Sequence, residues 1–228
     1  MRLYFGHWLM AAKLIIQFKK IMFKKILITT ITTLTFCTGF AQSHFKEPIS
    51  YKLKNGMNII ISENDRSEKA YSSFTLDKKA FKNRKDGIIE LLNATLNDGI
   101  DKNKNIRFND NSGELATLKS DFESGLQTMA NAILNTPINQ TTFNNAKAKL
   151  LLSLKTQDYD YDTTVNPTSL NAISLQDLQE FYNQITPSST HLTIAGNINA
   201  DEAKTAVKKA FGNWSKETVK AITTQTSK

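Results

Sequence analysis

The sequence predicts an α+β fold, a mostly antiparallel sheet with helices packed on one face. Three observations point there. A hairpin signal sits at Tyr51–Ser62, around Asn55-Gly56. A run of helical patterns punctuated by Pro137 and Pro187 fills the middle. A β-patterned stretch, His191–Ala195, followed by a capped helix, closes the patterned chain.

The first 41 residues read as a leader. Residues 1–41 contain Arg2, Lys13, Lys19, Lys20, Lys24 and Lys25 and no acid. From Met22 a basic start (Lys24, Lys25), an apolar and Thr-rich run (Ile26–Phe36) and a small-residue end (Gly39-Phe40-Ala41) are the three parts of a secretory signal. Cleavage would fall between Ala41 and Gln42, and Met22 is the expected start of translation. The run is short and polar for a span of ~20 apolar residues, so a cleaved signal is favoured over a membrane anchor. Cys37 raises a lipoprotein alternative, but Phe36 stands where that signal wants a small residue. Export to the periplasm or beyond follows as an expectation.

Removing the leader changes the charge argument. The full chain carries 29 Lys and Arg against 21 Asp and Glu, a formal +8. The six leader cations leave 23 against 21, about +2, so a nucleic-acid partner loses its support. Cys37 is the only cysteine and lies in the leader, which excludes disulfides and thiolate metal sites from the rest. About 187 residues remain, enough for one sizeable core.

The elements then follow in order. Residues 42–50 form a short lead-in arm, residues 51–214 one α+β lobe, and residues 215–228 a Lys/Thr/Ser-rich flexible tail. Tyr51–Leu53 and Met57–Ser62 pair across the Asn-Gly turn, and the run Ile59-Ile60-Ile61 predicts a strand covered on both faces. Tyr71–Leu76 alternates as a third strand. Gly87–Gly99 brackets a helix with an apolar stripe at Ile88, Ile89, Leu91, Leu92 and Leu96, and Gly99 stands where a helix C′ residue takes positive φ. Residues 100–113 are polar and loop-like, with at most a short strand at Ile106–Phe108, and Glu114–Lys119 is a candidate strand. Ser120 or Asp121 caps a helix to about Asn135, and Thr141 or Thr142 opens one from Phe143 to about Lys155. After a polar loop, Gln157–Ser169, Ser174 and Asp177 form a capping-box pattern for the helix Leu175–Gln184. His191–Ala195 is a strand, and Asn199 or Asp201 caps a last helix ending at Phe211.

Three pieces carry a family resemblance: YKLKNGMNIIISEN (Tyr51–Asn64), the helix pair Asp121–Leu152 with Asn135-Thr136-Pro137 between, and Leu175–Trp214 with its Phe-Tyr, Pro, Gly-Asn and Phe-Gly-Asn-Trp marks. In this order they resemble one lobe of the insulinase/pitrilysin zinc metallopeptidases (M16), which include the mitochondrial processing peptidase. The resemblance implies a single LuxS/processing-peptidase-like lobe, about half of a full-length relative. It also implies a zinc motif, His-x-x-Glu-His, on the first helix, where two imidazoles one turn apart hold the metal and the Glu serves as base.

On this chain those positions fall at Glu90, Asn93 and Ala94, and the family's distal Glu ligand falls near Ser153. The histidines are His7, His44 and His191 only, so no His-x-x-Glu-His occurs. The resemblance therefore implies a degenerate motif, with no catalytic residue, no metal ligand and no cofactor where the family carries zinc. Glu90 reads as an exposed helix residue, with a buried acid of shifted pKa as the alternative, and His191 as a satisfied or surface residue. The segment Ile100–Gly113 is also shorter than in catalytic relatives, which implies that part of the sheet is missing. Asp158, Asp160 and Asp162 alternate but lack the Gly and closing acid of a Ca²⁺ loop. No phosphate loop and no Ser–His pairing are present. The expected function is a non-catalytic subunit or peptide-binding lobe beside a zinc-bearing M16 lobe or chain, in a hetero- or homodimer, acting on a peptide or protein. A stand-alone peptide-binding or structural remnant is the alternative, and a hydrolase with a non-zinc constellation a weaker one.

Overall fold

The computed structural model of the chain describes residues 46–81, 84–100, 105–156 and 160–215. The leader, Cys37, the Ala41–Gln42 junction, His44, Asp158 and most of the tail lie outside the described residues. Six strands form one sheet: β1 (Ile49–Lys52), β2 (Asn58–Glu63), β3 (Lys69–Leu76), β4 (Ile106–Asn109), β5 (Ser112–Leu118) and β6 (Thr190–Gly196). Their order is β1-β2-β6-β3-β5-β4. Only β2 and β6 run parallel, and the other neighbours are antiparallel. The helices are α1 (Ile88–Gly99), α2 (Phe122–Asn135), α3 (Gln140–Thr156), α4 (Pro167–Asn171), α5 (Leu175–Gln184) and α6 (Ala200–Phe211).

Strand alternation sets the layers. On β3, Ala70, Ser72, Phe74 and Leu76 are buried while their neighbours are more open, and β6 repeats the pattern through Thr190, Leu192 and Ile194. One sheet face thus carries the core, and the apolar stripes of α1, α2 and α6 close over it. Phe74 of β3 stacks on Phe211 of α6 at 6.1 Å, with Trp214 at 6.3 Å from both rings.

Several local expectations are corrected. Ile59 and Ile61 are 1 % exposed, but Ile60 is only half-buried, so β2 is covered on one face rather than two. The hairpin loop has three residues: Gly56 N–H donates to Leu53 O and Leu53 N–H to Met57 O, and only Gly56 takes a positive φ. Asn55 instead donates its amide to Phe211 O (2.8 Å) and Trp214 O (2.9 Å), tying the hairpin to the end of α6. Gly99 is an ordinary last helical residue. Gly87 is the left-handed one, at φ 85, and a Cβ there would meet Leu170 Cδ2 at 2.6 Å.

The two candidate strands in residues 100–119 both form, slightly longer than expected, and pair as a hairpin. β4 and β5 turn through Asp110, the one described non-glycine at positive φ (45°). Neither Ser120 nor Asp121 caps α2 through its side chain, because a 3₁₀ turn at Lys119–Asp121 leads in instead. Asn139, not Thr141 or Thr142, accepts from the first amides of α3. The polar loop after α3 hides α4, capped by Asn166. Asn199 caps α6, and Glu63 accepts from Ala200 N–H beside it.

The capping box of α5 forms as the sequence suggests. Ser174 Oγ accepts from Asp177 N–H at 3.2 Å, and Asp177 Oδ2 accepts from Ser174 N–H at 2.7 Å. Lys85 joins Asp177 at 2.7 Å and also donates to Ala172 O. The Lys85 ammonium first, then the Ser174 donors, pull the Asp177 carboxyl from its ordinary 3.8 down to about 2. A depressed folded-state value means the stabilisation is full above the unfolded value and is lost as pH falls. In urea melts, Asp177→Asn is therefore expected to lose about 0.5–1 kcal/mol at pH 6. That deficit should shrink as pH falls from about 4 towards about 2.

Candidate functional site

The two faces of α1 do different things. Its apolar stripe enters the core, while Glu90, Asn93, Ala94, Asn97 and Asp98 follow helical spacing along the other side. They line a pocket of about 350 Å³ closed by the β4–β5 hairpin, by α3 through Lys149, Leu150 and Ser153, and by Tyr161. The four positions that the family resemblance assigns to the zinc motif, Glu90, Asn93, Ala94 and Ser153, all line this one pocket.

Polar side chains of α1 lace it to the hairpin. Asn93 is 8 % exposed and donates Nδ2 to Asp110 O at 2.8 Å. Asn97 donates Nδ2 to Phe108 O and accepts from Phe108 N–H, both at 2.8 Å. β4 is an edge strand, so these Phe108 groups have no strand partner, and Asn97 supplies the pairing an added strand would supply. Across the pocket Ser153 Oγ and Tyr161 OH lie 3.1 Å apart. Lys149 of α3 pairs with Asp98 of α1.

Glu90 corrects a sequence expectation. It is half-buried, and its carboxyl is pushed above the usual range. Burial is the main cause, with the Asp110 and Asp162 charges adding to it, against its own backbone N–H and Arg84. His191 lies half-buried on β6, opposite Asn58 and Thr75 on the open sheet face and away from the pocket. Asp162 turns the chain, accepting from Thr164 N–H and Val165 N–H.

The donor set does not suit zinc. A carboxylate (Glu90), an amide engaged with Asp110 O, a methyl and a hydroxyl stand where the resemblance puts two imidazoles and two carboxylates, so no imidazole is present. Among the described residues, no three His, Cys, Asp or Glu side chains group to hold a metal ion.

Sequence reasoning missed Asn97, Asp110, Lys149 and Tyr161. Asn97 is one turn past Asn93 and two past Glu90, a spacing that could have placed it on the same face. Asn97→Ala would strip the Phe108 backbone of its pairing, at a cost of about 1–3 kcal/mol. Hydrogen exchange should then show the Phe108 amide losing protection while amides of α6 keep theirs.

The profile described as "Peptidase M16 inactive domain" matches residues 172–227. No curated protein matches the chain. A protease from Helicobacter pylori superimposes with a TM-score of 0.62 at 14 % identity, covering 77 % of this chain and 52 % of its own. Pitrilysin gives 0.62 at 12 % identity, covering 78 % and 24 %. The ferredoxin protease FusC, solved in complex with Arabidopsis ferredoxin, gives 0.57 at 13 % identity, covering 75 % and 25 %. The chain thus spans about half the length of the Helicobacter protease and about a quarter of the other two. At these identities the likeness is one of fold. The chain resembles one lobe of the insulinase/pitrilysin (M16) metallopeptidases, with the inactive-domain pattern at its C-terminal end.

Proposed function

We propose that the protein is an exported, non-catalytic M16-type lobe that works beside a zinc-bearing M16 lobe or chain, closing the chamber and helping to hold a peptide or protein substrate. One observation carries the reading. The pocket where the resemblance puts the zinc motif offers Glu90, Asn93, Ala94 and Ser153, and Asn93 is committed to Asp110 of the hairpin. The pocket itself is retained at about 350 Å³, a size that suits ligand capture.

Two further facts support the partnership. The chain matches about half of the Helicobacter protease, which leaves room for a second lobe. FusC, a relative in fold, has been captured with a protein, which supports a protein or peptide substrate. The basic, apolar and small-residue order of residues 22–41 supports export.

The protein purified from its own cells is expected to carry no stoichiometric zinc and to leave a fluorogenic peptide uncut by itself. Cleavage should appear on adding a co-purifying chain that contains His-x-x-Glu-His. Stoichiometric zinc together with intrinsic hydrolysis would overturn the reading.

A further inference from the structure

The α1–α3 pocket contains an acid, Glu90, that has no counter-ion among the described residues. Glu90 takes a hydrogen bond from its own backbone N–H and joins no ion pair among the described residues. The pocket's cations are already engaged: Lys149 with Asp98, and Arg107 with a partner of its own. Arg84 acts on Glu90 only at longer range, and the Asp110 and Asp162 charges oppose its ionisation. A second acceptor is also idle, since Asn109 lines the same pocket and its buried Oδ1 has no hydrogen-bond partner. The missing member of this site is a cation that can donate hydrogen bonds. A neutral ligand would desolvate Glu90 further and compensate nothing.

An ammonium fits better than a metal ion. Metal binding wants several anionic or imidazole ligands converging, and no such group of three exists among the described residues. An ammonium has three donors and needs one carboxylate plus neutral acceptors. Ala94, Phe108 and Leu150 add apolar wall against which an aliphatic stem can lie.

We propose that this pocket binds the protonated amino nitrogen of a peptide, either a lysine side chain or a free α-amino terminus, with the Glu90 carboxylate as its counter-ion. The inference rests on the peptide-holding reading above and gives that reading a substrate feature. The site then contributes recognition where the resemblance would have placed chemistry.

The test uses the full exported chain and three probes: acetyl-Ala-Lys-Ala-amide, Ala-Ala-Ala-amide with a free amino terminus, and acetyl-Ala-Ala-Ala-amide. Binding is followed by NMR shifts of the α1 and β4–β5 amides. At least one cationic probe should bind about tenfold or more tightly than the neutral one, and which one does so identifies the source of the amine. Glu90→Gln, a near-isosteric change, should cut that preference to within about twofold. Ala94→Phe, which fills the pocket, should remove the shifts while the melting temperature stays close to that of the unmodified chain. Equal binding of all three probes, no binding of any, or a preference untouched by Glu90→Gln would overturn the amine site. Equal binding that survives Glu90→Gln would leave peptide holding intact, and the zinc and hydrolysis assays judge the non-catalytic reading separately.

Discussion

The sheet cannot be completed until its last strand arrives. β6 sits between β2 and β3, parallel to one and antiparallel to the other. Without it the sheet divides into a hairpin, β1–β2, and a three-stranded unit, β3–β5–β4, with no backbone pairing between them. Leu192 and Ile194, both fully buried, then join Ile59 and Ile61 to Ser72 and Phe74 across the same face. Contacts this distant in sequence carry a large loop-closure cost, so folding should be slow and cooperative. Two clips hold the closing segment once it docks: the Asn55 amide on Phe211 and Trp214, and the Glu63 carboxylate on the first amide of α6.

That scaffold gives α1 its two roles. Its apolar face is fixed by the core, which leaves the opposite face to polar residues. Asn93 and Asn97 use that freedom to hold the β4–β5 hairpin, and Asn97 also closes the edge of β4 at Phe108. Glu90 and Ala94 are left facing a cavity that α3 and Tyr161 complete. A lobe with this arrangement keeps a shaped, acid-bearing pocket and lacks the donors for a zinc-bound water.

Much of this was readable from the residues, for physical reasons. An apolar stripe gave α1, because burial at helical spacing is a strong and local signal, and cap candidates marked the starts of α2 and α6. The Ser174–Asp177 box was legible because capping is chemistry between near neighbours. The β4–β5 hairpin was legible only as two candidate strands, because the polar turn that joins them carries no Asn-Gly signal and its ties to α1 come from the Asn93 and Asn97 side chains. Gly87 and Gly99 look alike in the sequence, and only the approach of Leu170 shows which one needs the left-handed backbone. The exposure of Glu90 depended on α3 and the hairpin, which lie far away in the chain, so spacing along α1 alone favoured the wrong environment.

Putting the family's ligands back tests most directly whether this pocket is a peptidase site without its ligands. The combined variant Glu90→His, Ala94→His and Ser153→Glu places two imidazoles one helical turn apart on α1, facing a carboxylate from α3, and leaves Asn93 in its tie to Asp110. Equilibrium dialysis should find about one zinc per chain at micromolar free zinc for the variant and none for the unmodified protein. A variant that melts like the parent yet binds no zinc would contradict the assignment of these positions.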